Sequence, residues 1–244
     1  LENQLDLLRG DWRKIVVMDA FRFDVFKQLW EEEGCPGRLR EVWSAGCDTG
    51  VWINNTFNAG VFDDAVLVSN TPVYWKPHYR RLLPRLRRAI GLWRKWRTVN
   101  TWGNSWRGIL GNTEVLGEAL AISSEYGGDC RLLIHTIPPH LPYVTEEGLR
   151  FLERLKTPVS DGVVNALTNY GNKNGWSYLR KLYTDSARQA LRQILDAEWL
   201  YCDGGFTVTA DHGELIGELN TYGHPTRSRR HPVLRRVPWL ELEE

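Results

Sequence analysis

Short apolar runs, widely spaced, punctuate this chain, and several end on a polar residue able to do chemistry. Residues 15–18 (IVVM) are followed by Asp19, and 65–68 (AVLV) by Ser69 and Asn70. Residues 131–135 (RLLIH) end on His135, and the β-branched run 206–209 (FTVT) leads to Asp211-His212. Such short apolar or β-branched runs read as buried strands, the continuous ones as covered on both faces of a parallel sheet. A shorter strand is expected over 40–44, and a final one over 233–242, placed at a sheet edge by Pro238.

Between these runs the apolar spacing turns helical. Helices are expected over 20–33, 51–57, 113–126, 145–156 and 177–199. The last carries the clearest stripe, through Leu179, Leu182, Tyr183, Ala187, Ala190, Leu191, Ile194 and Leu195. Strand, acid, helix is how a doubly wound α/β unit opens, so the pattern predicts an α/β fold around a mostly parallel sheet. Residues 76–97 interleave arginines with Leu82, Leu83, Leu86, Ile90, Leu92, Trp93 and Trp96, which predicts a basic amphipathic helix kinked at Pro84.

Composition narrows this picture only a little. The 244 residues hold no linker, repeat or low-complexity segment, so one domain over 1–244 is expected, with a basic, Trp-rich helical insertion at about 76–110. Lys plus Arg number 31 against 30 Asp plus Glu, so net charge names no polyanionic partner and no specific nucleic-acid recognition is expected. The stretch from Arg80 to Arg97 remains the candidate surface for an anionic polymer, a membrane or a substrate lid. Cys35, Cys47, Cys130 and Cys202 form no CxxC pair, which argues against a zinc ribbon or a disulfide framework and for a reduced compartment. With no signal pattern and no apolar run near the ~20 residues of a membrane span, a cytoplasmic setting is expected.

The chemistry gathers at the strand ends. Asp and His are ordinary ligands of zinc-like ions, and the C-terminal edge of an open α/β sheet is where such folds bind ligands. Asp19 is equally well read as the N-cap of the helix that follows. Thr49 reads either as an N-cap or as a hydroxyl poised over free helix N–H groups to attack an anion. The prolines around His140 (Pro138, Pro139, Pro142) would stiffen its loop. Asp19, Thr49, His135/His140 and Asp211-His212 come from four separate segments and converge on one sheet edge, which favours a metal-centred site.

The segments VVMDAFRFD (16–24), HTIPPHLPY (135–143) and TADHGELIGE with YGHP (209–225) resemble the sulfatase branch of the alkaline phosphatase superfamily. The helix LRKLYTDSARQALRQIL and the closing LRRVPWLEL fit the same branch, so the resemblance spans the chain in order. It implies an alkaline-phosphatase-like three-layer α/β/α sandwich. It further implies that Asp19, Asp211 and His212 bind one divalent cation (Zn, Mn, Ca or Mg), touched also by Thr49 as nucleophile. His140 and His224 would contact the transferred group or hold a second metal. The implied activity is hydrolysis or transfer of a small anionic phosphate or sulfate ester through a covalent enzyme ester. A catalytically silent anion- or partner-binding protein on the same scaffold is the alternative. The run Cys47-Asp48-Thr49-Gly50-Val51 lacks the Pro and Arg of formylglycine sulfatases, so Thr49 is preferred as nucleophile over Cys47.

Overall fold

The computed structural model describes residues 1–95, 97–101, 104–108, 111–127, 129–155 and 162–243, and of 94–95, 97–101 and 104–108 only the backbone path. The strands are β1 (Glu2–Asn3), β2 (Lys14–Met18), β3 (Arg38–Trp43), β4 (Val66–Ser69), β5 (Arg88–Gly91), β6 (Arg97–Thr101), β7 (Asn104–Gly108), β8 (Leu132–Thr136), β9 (Phe206–Ala210), β10 (Leu215–Ile216), β11 (Tyr222–Gly223) and β12 (Arg236–Leu242). The helices are α1 (Gln4–Leu8), α2 (Phe23–Glu32), α3 (Thr49–Asn58), α4 (Pro77–Arg80), α5 (Asn112–Glu125), α6 (Glu146–Arg154), α7 (Gly162–Asn174) and α8 (Ser177–Leu195).

Eight strands form one sheet in the order β1-β3-β12-β9-β2-β8-β4-β5, parallel except for β12. The apolar runs occupy its middle: β2, β4, β8 and β9 are buried at every residue. From β2 the chain passes to β3 on one side and then to β4 on the other. The C-terminal end of β2, between β8 and β9, therefore lies in the crevice where open α/β sheets take ligands. Flanking helices complete the α/β fold, with α5 and α8 packing through Val115, Leu116, Ala187, Ala190 and Leu191 in the main core. A second core of Leu141, Tyr143, Phe151, Leu167, Leu179, Leu182 and Tyr222 joins α6, α7 and α8 to the β10–β11 ribbon.

Two expectations are corrected. Residues 76–97 do not form one basic helix. Pro77 opens the four-residue α4, Leu83–Arg85 make a 3-10 turn around Pro84, and Arg88–Gly91 pair in parallel with β4. Proline removes helical donors at both places, and a free edge on β4 offers the backbone a better partner. Several of its arginines are spent locally: Arg85 pairs with Asp63 and Arg88 with Glu125, each closing to within 3 Å.

The last strand, β12, is interior and not an edge, lying antiparallel between β3 and β9. Pro238 stands opposite Glu41, whereas the ladder with β9 starts one residue later at Trp239, so the missing N–H falls at the end of that ladder. Its carbonyl accepts the Thr209 hydroxyl at 2.6 Å.

One buried side chain ties the sheet to the loop before α3. Gln4 Nε2 donates to Thr209 Oγ1 (2.9 Å) and Ala210 O (2.8 Å), while Oε1 accepts from Ala45 N and Trp52 Nε1. Truncation would strand these groups away from water. Gln4→Ala is expected to cost about 2–4 kcal/mol, measured as a lower urea midpoint at unchanged slope; a midpoint shift under ~0.5 kcal/mol would show that the tie is dispensable.

Candidate active site

The loops leaving β2, β8 and β9 meet the N-terminus of α3 and the β10–β11 ribbon. Asp19 follows β2 directly, and it does not cap a helix: α2 starts at Phe23, with Arg22 in the N-cap position. The next residue, Ala20, is held at φ 60°, an uncommon left-handed backbone for alanine. Its N–H donates to Asp211 Oδ1 at 3.0 Å, and its carbonyl accepts the Tyr183 hydroxyl at 2.6 Å. Buried Arg22 then latches this loop to the one after β9, donating to Asp24 (2.6 Å), Glu218 (2.9 Å) and the Glu214 carbonyl (3.2 Å).

Thr49 is the first residue of α3, and the capping is done by Asp48, whose Oδ1 accepts from Val51 N at 2.9 Å. That leaves the Thr49 hydroxyl free of backbone duty. Its Oγ1 lies 3.4 Å from both oxygens of Asp19 and 3.2 Å from His212 Nε2. His212 Nε2 is in turn 3.3 Å from Asp19 Oδ1 and 3.5 Å from Asp211 Oδ2. Its Nδ1 faces the Gly213 carbonyl at 2.7 Å, an acceptor that fixes the proton on Nδ1 and presents Nε2 to the cluster. Gly213 has no room for a side chain, since a Cβ would lie 2.0 Å from the Val233 carbonyl.

The remaining predicted residues stand just above. His140 Nδ1 faces the Leu141 carbonyl at 2.9 Å. The β10–β11 ribbon pairs Leu215 with Gly223, so Glu214 and His224 emerge side by side and His224 Nδ1 meets Glu214 Oε1 at 3.1 Å. The His140 and His224 rings are 5.6 Å apart, and those of His212 and His224 4.4 Å. Thus Asp19, Thr49, His140, Asp211, His212 and His224, drawn from five segments, share one locus.

Two further residues take part: Glu214, which the sequence did not single out, and His135, which it named with His140 among the potential ligands at the strand ends. Glu214 is buried at 1% exposure, and its Oε2 lies 3.9 Å from His140 Nε2. His135, fully buried on β8, approaches Asp211 Oδ2 at 3.7 Å with Nε2 while Nδ1 meets the Tyr74 hydroxyl at 2.8 Å. Glu214 was visible as the last letter of DHGE.

The electrostatics follow from crowding two buried carboxylates. Burial and the charge of Asp19 push Asp211 up, while Asp19 is held well below the carboxylate range because the three nearby histidines outweigh its own burial. His212 is pushed up to about 10: burial opposes its charge, but Asp211 and Asp19 overcome it. His135 is lowered by burial, and Glu214 is lowered by His224 and His140 despite burial. Asp211 Oδ2 and His135 Nε2 are buried without a hydrogen-bond partner, facing the same point. Unpaired polar atoms of this kind call for an occupant.

A divalent cation fits that demand. Asp19, His135 and Asp211 offer ligand atoms within 4.8 Å of one another, with His212 Nε2 and Thr49 Oγ1 alongside; His140, Glu214 and His224 form a second such group. Mixed carboxylate and imidazole donors suit zinc and manganese best, and magnesium or calcium less well.

No protein-family model matches the sequence, and no curated protein sequence matches it. Solved structures do match. The soluble domain of lipooligosaccharide phosphoethanolamine transferase A from Neisseria meningitidis aligns at TM-score 0.56 and 14% identity, covering 95% of this chain and 77% of that one. The C-terminal periplasmic domain of EptC from Escherichia coli, in complex with Zn, aligns at 0.55 and 13%, covering 97% and 74%. A protein of the alkaline phosphatase superfamily from Vibrio parahaemolyticus aligns at 0.55 and 11%, covering 97% and 61%.

These matches contradict the cytoplasmic expectation, since the E. coli domain is periplasmic. Unpaired cysteines were a poor guide because a chain of this size buries enough core to fold without disulfides in any compartment. Among the described residues no helix is long and apolar enough to cross a membrane. At these identities the matches establish architecture, and this chain has the fold of the alkaline phosphatase superfamily.

Proposed function

We propose that this chain, residues 1–244, is a metal-dependent enzyme that hydrolyses or transfers phosphate esters outside the cytoplasm, with Thr49 as its nucleophile. The observation that carries the reading is the free Thr49 hydroxyl, wedged between Asp19 and His212 at a helix N-terminus whose capping is done by Asp48. Asp19, Asp211, His212 and Thr49 would hold one divalent ion, zinc or manganese by preference, with His135 beside them. Asp19 is too weak a base to deprotonate Thr49 unaided, and a bound cation supplies the missing acidity to the hydroxyl and neutralises charge on the phosphoryl oxygens.

Thr49 Oγ then bonds to phosphorus as the ester P–O bond opposite it breaks, and the free N–H groups of α3 face the phosphoryl oxygens. His140 carries the proton for the departing oxygen; burial opposes its charge, but Asp19 and Glu214 outweigh it and push the imidazole up. His224, its Nδ1 held by Glu214, turns Nε2 toward the transferred group. Attack by water, or by an acceptor hydroxyl in a transferase, breaks the Thr49–phosphorus bond and restores the threonine. Cys47 makes a poorer nucleophile: burial and neighbouring Asp48 push its thiol up, and it packs against Leu215 and Leu234.

The test is release of p-nitrophenol from the phosphate monoester, methyl phosphodiester and sulfate, with Zn, Mn, Mg or Ca added to chelator-treated protein. Phosphate-ester cleavage that appears with Zn or Mn and vanishes with chelator is expected; turnover indifferent to chelator, or of the sulfate alone, would overturn the reading.

A further inference from the structure

The cavity beside Thr49 says which esters the site is built to accept. It holds about 310 Å3, and Thr49 and His224 are among the residues that line it. Its walls come from segments far apart in the chain: Lys76 and Tyr79 at the start of α4, and Arg229 beyond β11. Asp48 is its one carboxylate among the described lining residues, and both Asp48 oxygens are committed. Oδ1 accepts from Val51 N at 2.9 Å, and Oδ2 lies 3.3 Å from Arg229 Nη2. Lys76 makes no ion pair among the described residues. Tyr79 reaches the first turn of α3 because residue 50 is glycine: a Cβ there would lie 2.1 Å from the Tyr79 hydroxyl. The walls thus combine an unpaired ammonium, a guanidinium and the positive end of a ten-residue helix, with no free carboxylate.

We propose that this cavity is a subsite for a negatively charged arm of the substrate, so that the phosphate ester accepted at Thr49 carries a second anionic group and not an ammonium. The proposal rests on the phosphate-ester reading above. A cationic arm would meet Lys76 and Arg229 with no carboxylate left to receive it, whereas a phosphate or carboxylate arm would bridge them. Exposed Arg80 and Arg81 follow Lys76, and exposed Arg227 and Arg230 flank Arg229, adding to the positive potential of the same two segments.

The experiment compares three phosphonates whose second arm ends in phosphate, methyl or ammonium, binding to metal-loaded Thr49→Ala protein by calorimetry. The corresponding p-nitrophenyl phosphodiesters are assayed in parallel as substrates of the unmutated chain. The phosphate arm is expected to bind about tenfold tighter than the methyl arm at low salt, the ammonium arm weaker than either, with the spread narrowing as salt rises. In Lys76→Ala/Arg229→Gln the phosphate-to-methyl ratio should fall to within about twofold, with folding checked by thermal melting. An ammonium arm that binds as well as the phosphate arm, a spread that survives the double substitution, or no binding by any of the three would overturn the subsite. Binding in the expected order without turnover of any diester would instead overturn the enzymatic reading and leave the subsite standing.

Discussion

Phosphate-ester cleavage is expected to fall by about three orders of magnitude or more in Thr49→Ala, while the protein stays folded. The loss is large because the variant removes the atom that forms the covalent bond, and the nearest alternative, Cys47, is buried with a thiol pushed up. Stability should barely change, since α3 is capped by Asp48 and not by Thr49. Thr49→Ser should recover much of the activity, because it keeps the hydroxyl and drops only a methyl group. The check is the initial rate on the p-nitrophenyl phosphodiester, with a melting curve on the same preparation. Retained turnover in Thr49→Ala would transfer the nucleophile's role elsewhere. Ligand binding with no turnover even before mutation would point to a silent binding protein on this scaffold.

In Asp211→Asn, thermal stabilisation by added zinc or manganese is expected to disappear, while the metal-free protein melts higher than its parent. The two signs have separate causes. A metal at about a thousand times its dissociation constant stabilises the folded chain by ~4 kcal/mol, and losing a principal ligand removes that gain. Without metal, Asp211 is an unfavourable neighbour: burial and Asp19 already push its carboxyl up, and Oδ2 has no hydrogen-bond partner. The asparagine keeps the oxygen that accepts from Ala20 N and His212 N and replaces the orphaned one with a neutral amide. Melting temperatures with chelator and with each metal decide the matter; a lower metal-free melting point, or an intact metal response, would refute it. Because His212 must lose its proton for Nε2 to coordinate, metal affinity in the parent should also weaken as pH falls from 8 to 6.

Much of this arrangement was legible in the linear chain. Short apolar or β-branched runs marked β2, β4, β8 and β9, strands covered on both faces. The polar residues ending those runs had to gather, since parallel strands deliver their C-termini to one edge. Glu214 was harder to place. Only the β10–β11 ribbon turns the chain back so that residue 214 faces residue 224. His135 was legible with His140 at the end of its apolar run, and packing alone brought it to Asp211. The basic segment misled because arginine and leucine spacing describes a helix as well as it describes turns beside a strand. Pairing with β4 decided between them. Pro238 misled likewise, since the edge-strand rule concerns one donor, and here that donor falls where the β9 ladder ends.

Periodicity and composition, taken alone, determined the α/β class and the parallel centre of the sheet, and pointed to Asp19, Thr49, His135, His140 and Asp211-His212 as polar residues for its edge. These are local consequences of burying hydrophobic side chains and leaving polar ones at strand ends. Tertiary structure alone decided the rest: that Asp48 takes over the cap and releases Thr49, that Asp211 and His135 face each other unpaired, and that Lys76 and Arg229 close on one cavity. The first turns on the residue at which α3 begins, and the other two are distances between atoms remote along the chain, set by how helices and loops pack on the sheet.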